Sequence, residues 1–260
     1  MKSDPSYFDI RIARSDSDLR AAQRLRYRVF VEELGGTGPL VDHDARLERD
    51  EFDDIVDHLC LIDRRRSVED LDHVVGVYRL LPGDRARSFG RFYCDSEYDL
   101  TSLRQSDRPV LELGRSCVDP AFRGGTAMFL LWNALADYVL DLGIEVLFGV
   151  ASFHGTDIQA LAPSLSWLHH NHLAPEGLRP VARAEGFQAM DLIPPDQLDR
   201  RQALIGMPAL IKAYLRLGGM VGEGAFVDRA FNTTDVFLLM DTKAMSDKHR
   251  KFYESRWQSQ

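Results

Sequence analysis

Residues 110–142, VLELGRSCVDPAFRGGTAMFLLWNALADYVLDL, constrain the fold more than any other stretch of the chain. Val110–Val118 is mostly apolar and reads as a strand, yet it carries Glu112 and Arg115, charges that are costly inside a sheet unless paired or used. Arg123, Gly124 and Gly125 then form a turn. Thr126–Leu142 follows with helical spacing and places Met128, Leu131, Trp132, Leu135 and Val139 on one broad face. Free N–H groups and the positive end of the dipole at such a helix start suit an anion such as a phosphate. Glycines serve a plain strand-to-helix turn equally well.

The flanking pattern extends this unit in both directions. Tyr7–Ala13 alternates as a strand, Ser15–Asp18 offers helix caps, and Leu19–Leu34 is predicted helical up to Gly35-Gly36. Thr37–Asp57 is an acid-rich loop. Leu59–Asp63 and Val74–Leu81 read as strands joined by the charged hairpin RRRSVEDLD, and Pro82–Arg108 as irregular apart from a short element around FYCDSEYDL. After Gly143 come a strand at Glu145–Ala151, a helix at Ile158–His172 that Pro163 could break, and a modest strand at Phe187–Leu192. A helix at Pro208–Leu217 and a strand at Val236–Met240 close the pattern. The order predicts an α/β (α+β) mixed sheet with helices on its faces. It is read as a single domain over 7–241, with a core at 7–200, a helix-strand extension at 201–241 and a tail at 242–260.

A net charge of −8 and a pI near 5.5 argue against a nucleic-acid partner. Cys60, Cys94 and Cys117 are odd in number and far apart, which predicts buried free thiols in a reducing compartment. There is no CxxC or Cys/His metal spacing, so no metal is expected. With no apolar leader and no apolar run approaching about 18 residues, the expected place is the cytoplasm, with peripheral membrane contact left open.

Glu112 and Arg115 stand three apart and would face opposite sides of a regular strand, unless a bulge brings them together. Glu112 is a candidate base or ammonium ligand, because an amine must lose a proton before it attacks a carbonyl carbon. A structural salt bridge is the other reading. His154, at a strand end, keeps a smaller claim, and His169, His170 and His172 read as packing or surface groups. The FNTTD turn, Phe231–Asp235, is explained by side chains bonding local backbone.

The strand, turn and helix of residues 110–142 resemble the central motif of the GNAT N-acyltransferase superfamily. Its usual signature is R/Q-x-x-G-x-G/A, from which Thr126 and Met128 depart. The resemblance implies that Arg123, Gly124, Gly125 and Thr126 cradle the phosphate of coenzyme A or of a phosphopantetheine arm. LRYRVFVEELGG, LERDEFDDIVDHLCLID and VVGVYRLLP further resemble the acyl-homoserine-lactone synthases. The matching positions are Arg26, Phe30, Asp50, Asp53, Arg79, Glu112 and Arg115, while the synthases' tryptophan is replaced by Gly35-Gly36.

GRSCV, LFGVASFHGTD, LSWLHHN, LAPE and PALIKAYLRLGGMVGEGAFVDRAFNTTDVFLLM resemble the ornithine–acyl-carrier-protein N-acyltransferases, from about Tyr7 to about Asp241. That resemblance implies transfer of a 3-hydroxyacyl group from acyl carrier protein to the α-amino group of ornithine, giving a lyso-ornithine lipid. It implies no cofactor beyond the carrier's phosphopantetheine thioester. Glu112 and Arg115 are the implied catalytic residues, and Asp50, Asp53 and Arg79 the implied acceptor-binding ones, the arginines suiting the amino-acid carboxylate. An acidic carrier protein would need a basic face, for which Arg64–Arg66, Arg85 with Arg87 and Arg91, Arg104 with Arg108, and Arg200-Arg201 are candidates. The alternatives are another acceptor (glycine or lysine), an acyl-CoA donor, or an inactive GNAT-fold scaffold that binds lipid or carrier.

Overall fold

A computed structural model describes residues 5–123, 126–229 and 231–243. Gly124 and Gly125 of the predicted phosphate turn, and residues 244–260 of the predicted tail, lie outside the described residues. In chain order the elements begin with β1 (Phe8–Ile12), α1 (Asp16–Arg26), a π-helix (Tyr27–Glu33), β2 (Asp57–Asp63), β3 (Val74–Pro82) and α2 (Gly83–Phe89). They continue with β4 (Tyr98–Asp99), α3 (Thr101–Gln105), β5 (Val110–Val118), α4 (Ala127–Asp141), β6 (Val146–His154) and α5 (Ile158–His172). The last are β7 (Val181–Ala182), β8 (Phe187–Gln188), α6 (Arg200–Gly206), α7 (Ala209–Arg216), β9 (Met220–Asp228) and β10 (Thr233–Asp241).

The chain forms two compact units, Met1–Gly90 with Leu113–Gly143, and Arg91–Glu112 with Ile144–Gln260. The division falls inside β5. In the first unit, β1, β2 and β3 form an antiparallel meander, with Ile10 opposite Leu61 and Leu59 opposite Tyr78. The second half of β5 lies beside β3. α1 buries Ala21, Ala22 and Leu25 against Cys60, Ile62 and Cys117. α4 covers the other face so closely that a Cβ on Gly76 would stand 2.9 Å from Leu131 Cδ1. Of the face predicted for α4, Leu131, Leu135 and Val139 are buried, whereas Met128 and Trp132 are half-buried.

Ser15 caps α1 by accepting the Asp18 N–H at 3.1 Å. The helix predicted to Leu34 then widens into the π-helix at Tyr27, directly after Arg26. Such widened turns concentrate at functional sites.

In the second unit β5 runs parallel to β6 only over Val110–Glu112, with Glu112 opposite Phe148. β6 pairs with β10 along their whole lengths, from His154 opposite Thr233 to Val146 opposite Asp241. β9 follows β10, and β7, β8 and β4 extend from it. The described residues among the final sixty therefore hold two helices and two strands, not one of each. β9 escapes a sequence reading because Gly219, Gly222 and Gly224 break its apolar pattern. Gly224 needs its positive φ of 73°, and a Cβ there would lie 2.4 Å from the Phe187 ring.

β8 stops at Gln188 instead of Leu192, because Ser166 of α5 takes over the backbone. Its hydroxyl donates to the Met190 carbonyl and accepts from the Leu192 and Ile193 N–H groups. Asp157 caps α5, which runs through Pro163 without a break. The segment read as irregular after Pro82 contains α2, a 3-10 turn at Tyr93–Ser96, β4 and α3. All three cysteines are buried and unpaired.

The β9–β10 ladder shifts register between Val236 and Leu238. Buried Tyr98 fills the gap: its hydroxyl accepts the Phe237 N–H at 3.2 Å and faces the Gly224 and Asp235 carbonyl oxygens at 3.1 and 2.9 Å. Tyr98→Phe strands these buried groups. It is expected to destabilise the fold by about 1–3 kcal/mol in urea unfolding, with an unchanged m-value.

Candidate functional site

Arg26 is fully buried at the end of α1. It pairs with Glu48 and, at 2.7 Å, with Asp53 Oδ1. Arg79, on β3 and 3% exposed, reaches Asp50 Oδ2 at 2.5 Å and Asp53 Oδ1 at 3.4 Å. Arg115, on β5, reaches Glu48 Oε1 at 3.0 Å and Asp50 Oδ2 at 3.4 Å. Three guanidiniums and three carboxylates thus close into one lattice. Gln23 donates to Asp53 Oδ2 at 3.0 Å, and buried His58 donates to the Asp53 carbonyl oxygen at 3.1 Å. The Phe52 and Phe30 rings lie under Arg79 and Arg115, with 5.6 and 5.9 Å to their centroids.

The electrostatics tie the members to one another. Burial raises the Asp50 carboxyl, but Arg79, then Arg115 and Arg26, outweigh it and hold the group below its ordinary value. Burial disfavours charge on Arg79, and Arg115 and Arg26 add repulsion that Asp50 offsets. Burial likewise pushes His58 down, which keeps it neutral. A cavity of about 890 Å³ borders the lattice, lined by α1 and loop residues including Asp42, Asp44, Asp50, Asp53 and Asp54. Asp42 is taken by Arg49 and by the Ala45 N–H, while Asp44 and Asp54 stand exposed.

β5 separates its two charges. Arg115 has a φ of +47°, a left-handed conformation that costs a non-glycine residue about 1 kcal/mol or more. Held so, it joins the lattice. Glu112 is 3% exposed and belongs to the second unit. Its two oxygens accept the Tyr93 and Cys94 N–H groups at 2.8 and 2.7 Å, tying down the 3-10 turn. Among the described contacts the two residues engage different partners.

Arg123 is not waiting for a phosphate in this structure: it forks onto Glu33 with two contacts of 2.6 Å and donates to the Val118 carbonyl. Thr126 stands at the start of α4. His154 is the last residue of β6 and exposed, opposite Thr233. The structure adds a residue that sequence reasoning set aside. Asp235 of the FNTTD turn is 5% exposed on β10, and burial pushes its carboxyl up to about 6 against the pull of the Ser152 and Thr233 hydroxyls. Its sequence signal was an acid immediately before an apolar strand core.

Over 256 residues the chain is 68% identical to the L-ornithine N(alpha)-acyltransferase of Rhodobacter capsulatus, covering 98% of each chain. It belongs to the L-ornithine N(alpha)-acyltransferase family. The Brucella abortus relative of the same name is 41% identical, covering 94% of this chain and 88% of its own. An acetyltransferase (GNAT) domain model matches residues 25–133. The fold is also that of a CoA-dependent acyl-homoserine lactone synthase, at TM-score 0.51 and 17% identity over 93% of this chain and 82% of that one. An N-acyl amino acid synthase from uncultured soil microbes gives 0.51 and 12%, over 94% and 97%. In this L-ornithine N(alpha)-acyltransferase family member the matched domain model spans the whole lattice and Glu112.

Most arginines offered as a basic face are already matched to acids. Arg64 pairs with Asp9, Arg65 with Asp63, Arg66 with Asp72 and Asp119, Arg85 with Asp57, Arg104 with Asp95, and Arg108 with Glu145 and Asp241. Arg200 instead lies over Trp167, 5.6 Å from the ring centroid.

Asp53→Asn leaves Arg26 and Arg79 short of a buried countercharge and is expected to cost about 3–5 kcal/mol in denaturant unfolding. Asp50→Asn carries a pH signature. Its folded pKa lies below the unfolded 3.8, so its contribution is full above that value and is lost as pH falls through the folded one. The stability gap between wild type and Asp50→Asn should be wide at pH 7 and close in strong acid.

Proposed function

We propose that this chain N-acylates ornithine: the α-amino nitrogen attacks a thioester carbonyl, the C–N bond forms, and the C–S bond breaks to release a thiol. The observation that carries this reading is the 68% identity to an L-ornithine N(alpha)-acyltransferase along 98% of both chains. The GNAT fold supports it, since GNAT domains host acyl transfer to amines. The donor proposed is a 3-hydroxyacyl group on the phosphopantetheine of acyl carrier protein, and the product a lyso-ornithine lipid.

Glu112 is proposed to take the amine's proton, directly or through a water, from the position its two main-chain hydrogen bonds fix. Arg115, Arg79, Asp50 and Asp53 are proposed to serve as a preorganised, charge-balanced support. Their charges are committed to one another, which suits holding β5 and the acid-rich loop in one geometry. Gly124, Gly125 and Thr126 remain the proposed phosphate cradle, with Arg123 as its flanking arginine held by Glu33. Among the described residues no helix is long and apolar enough to cross a membrane. A peripheral contact with the inner membrane face is proposed for release of the lipid product.

Purified protein incubated with 3-hydroxyacyl carrier protein, or the matching acyl-CoA, and ornithine, lysine or glycine tests the reading by product mass. Acylation of ornithine on its α-nitrogen, faster from the carrier, is expected. Glu112→Gln should lower kcat at least 100-fold with a smaller change in either KM. Transfer only to another amine would overturn the acceptor, and full turnover by Glu112→Gln would remove that residue from the chemistry.

A further inference from the structure

One stretch of the second unit reverses the charge balance of the protein. From Leu198 to Met220 the chain carries four cations, Arg200, Arg201, Lys212 and Arg216, and one acid, Asp199, although the whole chain has a net charge of −8. Asp199 is used to cap α6, accepting the Arg201 and Gln202 N–H groups at 2.7 and 3.4 Å. Among the described residues none of the four cationic side chains pairs with an acid.

Between the two pairs of cations, the residues from Gln202 to Ile211 carry no charge. They form the end of α6, a turn and the start of α7. The inner side of this tip is fixed. Ala203, Met207 and Ile211 are buried, and the Ser164 hydroxyl of α5 donates to the Ala203 carbonyl at 2.7 Å. Lys212 Nζ closes the turn on the Leu204 carbonyl at 3.1 Å. The outer side carries Ile205, which is 71% exposed, with Gly206 and Ala209 also exposed. Arg201 neighbours Ile205 on α6, and Lys212 neighbours Arg216 on α7, since residues four apart share a helix face. Arg200 lies over the half-buried Trp167 ring, 5.6 Å from its centroid.

We propose that this α6–α7 tip docks the protein on the surface of an anionic lipid bilayer. Ile205 enters the boundary between headgroups and acyl chains, and the cations on either side meet the lipid phosphates. This rests on the lipid product proposed above and names the surface that makes the membrane contact. An apolar point between cations fits a layer that is charged outside and apolar beneath. An acidic carrier protein also offers negative charge, but its folded surface has no such interior to receive Ile205. Long cationic stems can lie along the tip while their heads stay at the phosphates, and an indole beside a guanidinium suits the same depth.

The test sediments the full chain with vesicles of phosphatidylglycerol and phosphatidylcholine, or of phosphatidylcholine alone, without substrates. Binding is expected to the anionic vesicles only, and it should weaken as salt rises. Ile205→Ser should lower the partition about fivefold, and Arg201→Gln/Arg216→Gln about tenfold. In a product assay without vesicles, both variants should leave kcat and the carrier-protein KM unchanged. Vesicle binding is read without turnover, so failure of the acyl-transfer reading is scored separately. Absence of binding to anionic vesicles, or a partition unchanged in both variants, would overturn the proposal. So would a raised carrier-protein KM in Arg201→Gln/Arg216→Gln with an unchanged partition, which would assign this face to the donor protein.

Discussion

Burying the Arg26 guanidinium is the constraint on which the first unit depends. A lone buried charge would cost many kcal/mol, so carboxylates must come to it. They arrive from an acid-rich segment with little regular structure of its own: Glu48, Asp50 and Asp53 lie between the π-helix and β2. Three acids around one arginine would overcompensate, and Arg79 and Arg115 restore balance from two strands. A loop that is hydrophilic by composition is thereby pinned to β3 and β5 from within. The distorted backbone at Arg115 is held by the same pairings, because its side chain is fixed at both Glu48 and Asp50.

β5 gives its two charged residues to different tasks. In the second unit Glu112, at the end of the parallel register with β6, turns both oxygens to a neighbouring main chain. In the first unit Arg115 turns to the lattice. The separation comes from local backbone geometry, a left-handed residue after Gly114, and not from the identity of either side chain. One strand can therefore carry a residue proposed for proton transfer and a residue of the supporting frame only three positions apart.

The sheet-forming and helix-forming runs were legible because their apolar periodicity is strong: β3, β5, α4 and α5 were placed within a residue or two at their ends. The two units were not legible, since the chain passes between them inside β5 without any linker signal. β9 was hidden by glycines needed for a bulge and for close packing against Phe187, residues that read locally as breakers. Of the candidate site, Arg26, Asp50, Asp53, Arg79 and Arg115 were picked out by resemblance, and the structure brings them together. What sequence withheld was their mutual saturation. Spacing along the chain says that opposite charges are present, but only side-chain placement says which acids are already matched. The same limit hid Asp235, because a short Asn-Thr-Thr-Asp run explains itself by turn chemistry until its aspartate is seen to be buried.

Saturation is the physical property that sorts the carboxylates of this protein by role. A carboxylate held by two guanidiniums gains little from a further ammonium, because the attraction is offset by repulsion from the arginines already present. Such a group resists replacement and suits a frame. A buried carboxylate with only hydroxyl donors and an acidic neighbour has the opposite balance, since every unit of positive charge brought near it relieves both desolvation and repulsion. Asp50 and Asp235 illustrate the two ends: burial raises both, arginines more than reverse the effect at the first, and among the described residues no cation does so at the second. A protein that must keep its own shape while admitting a cationic amino acid benefits from having both kinds, because binding then need not dismantle the ion pairs that hold the frame.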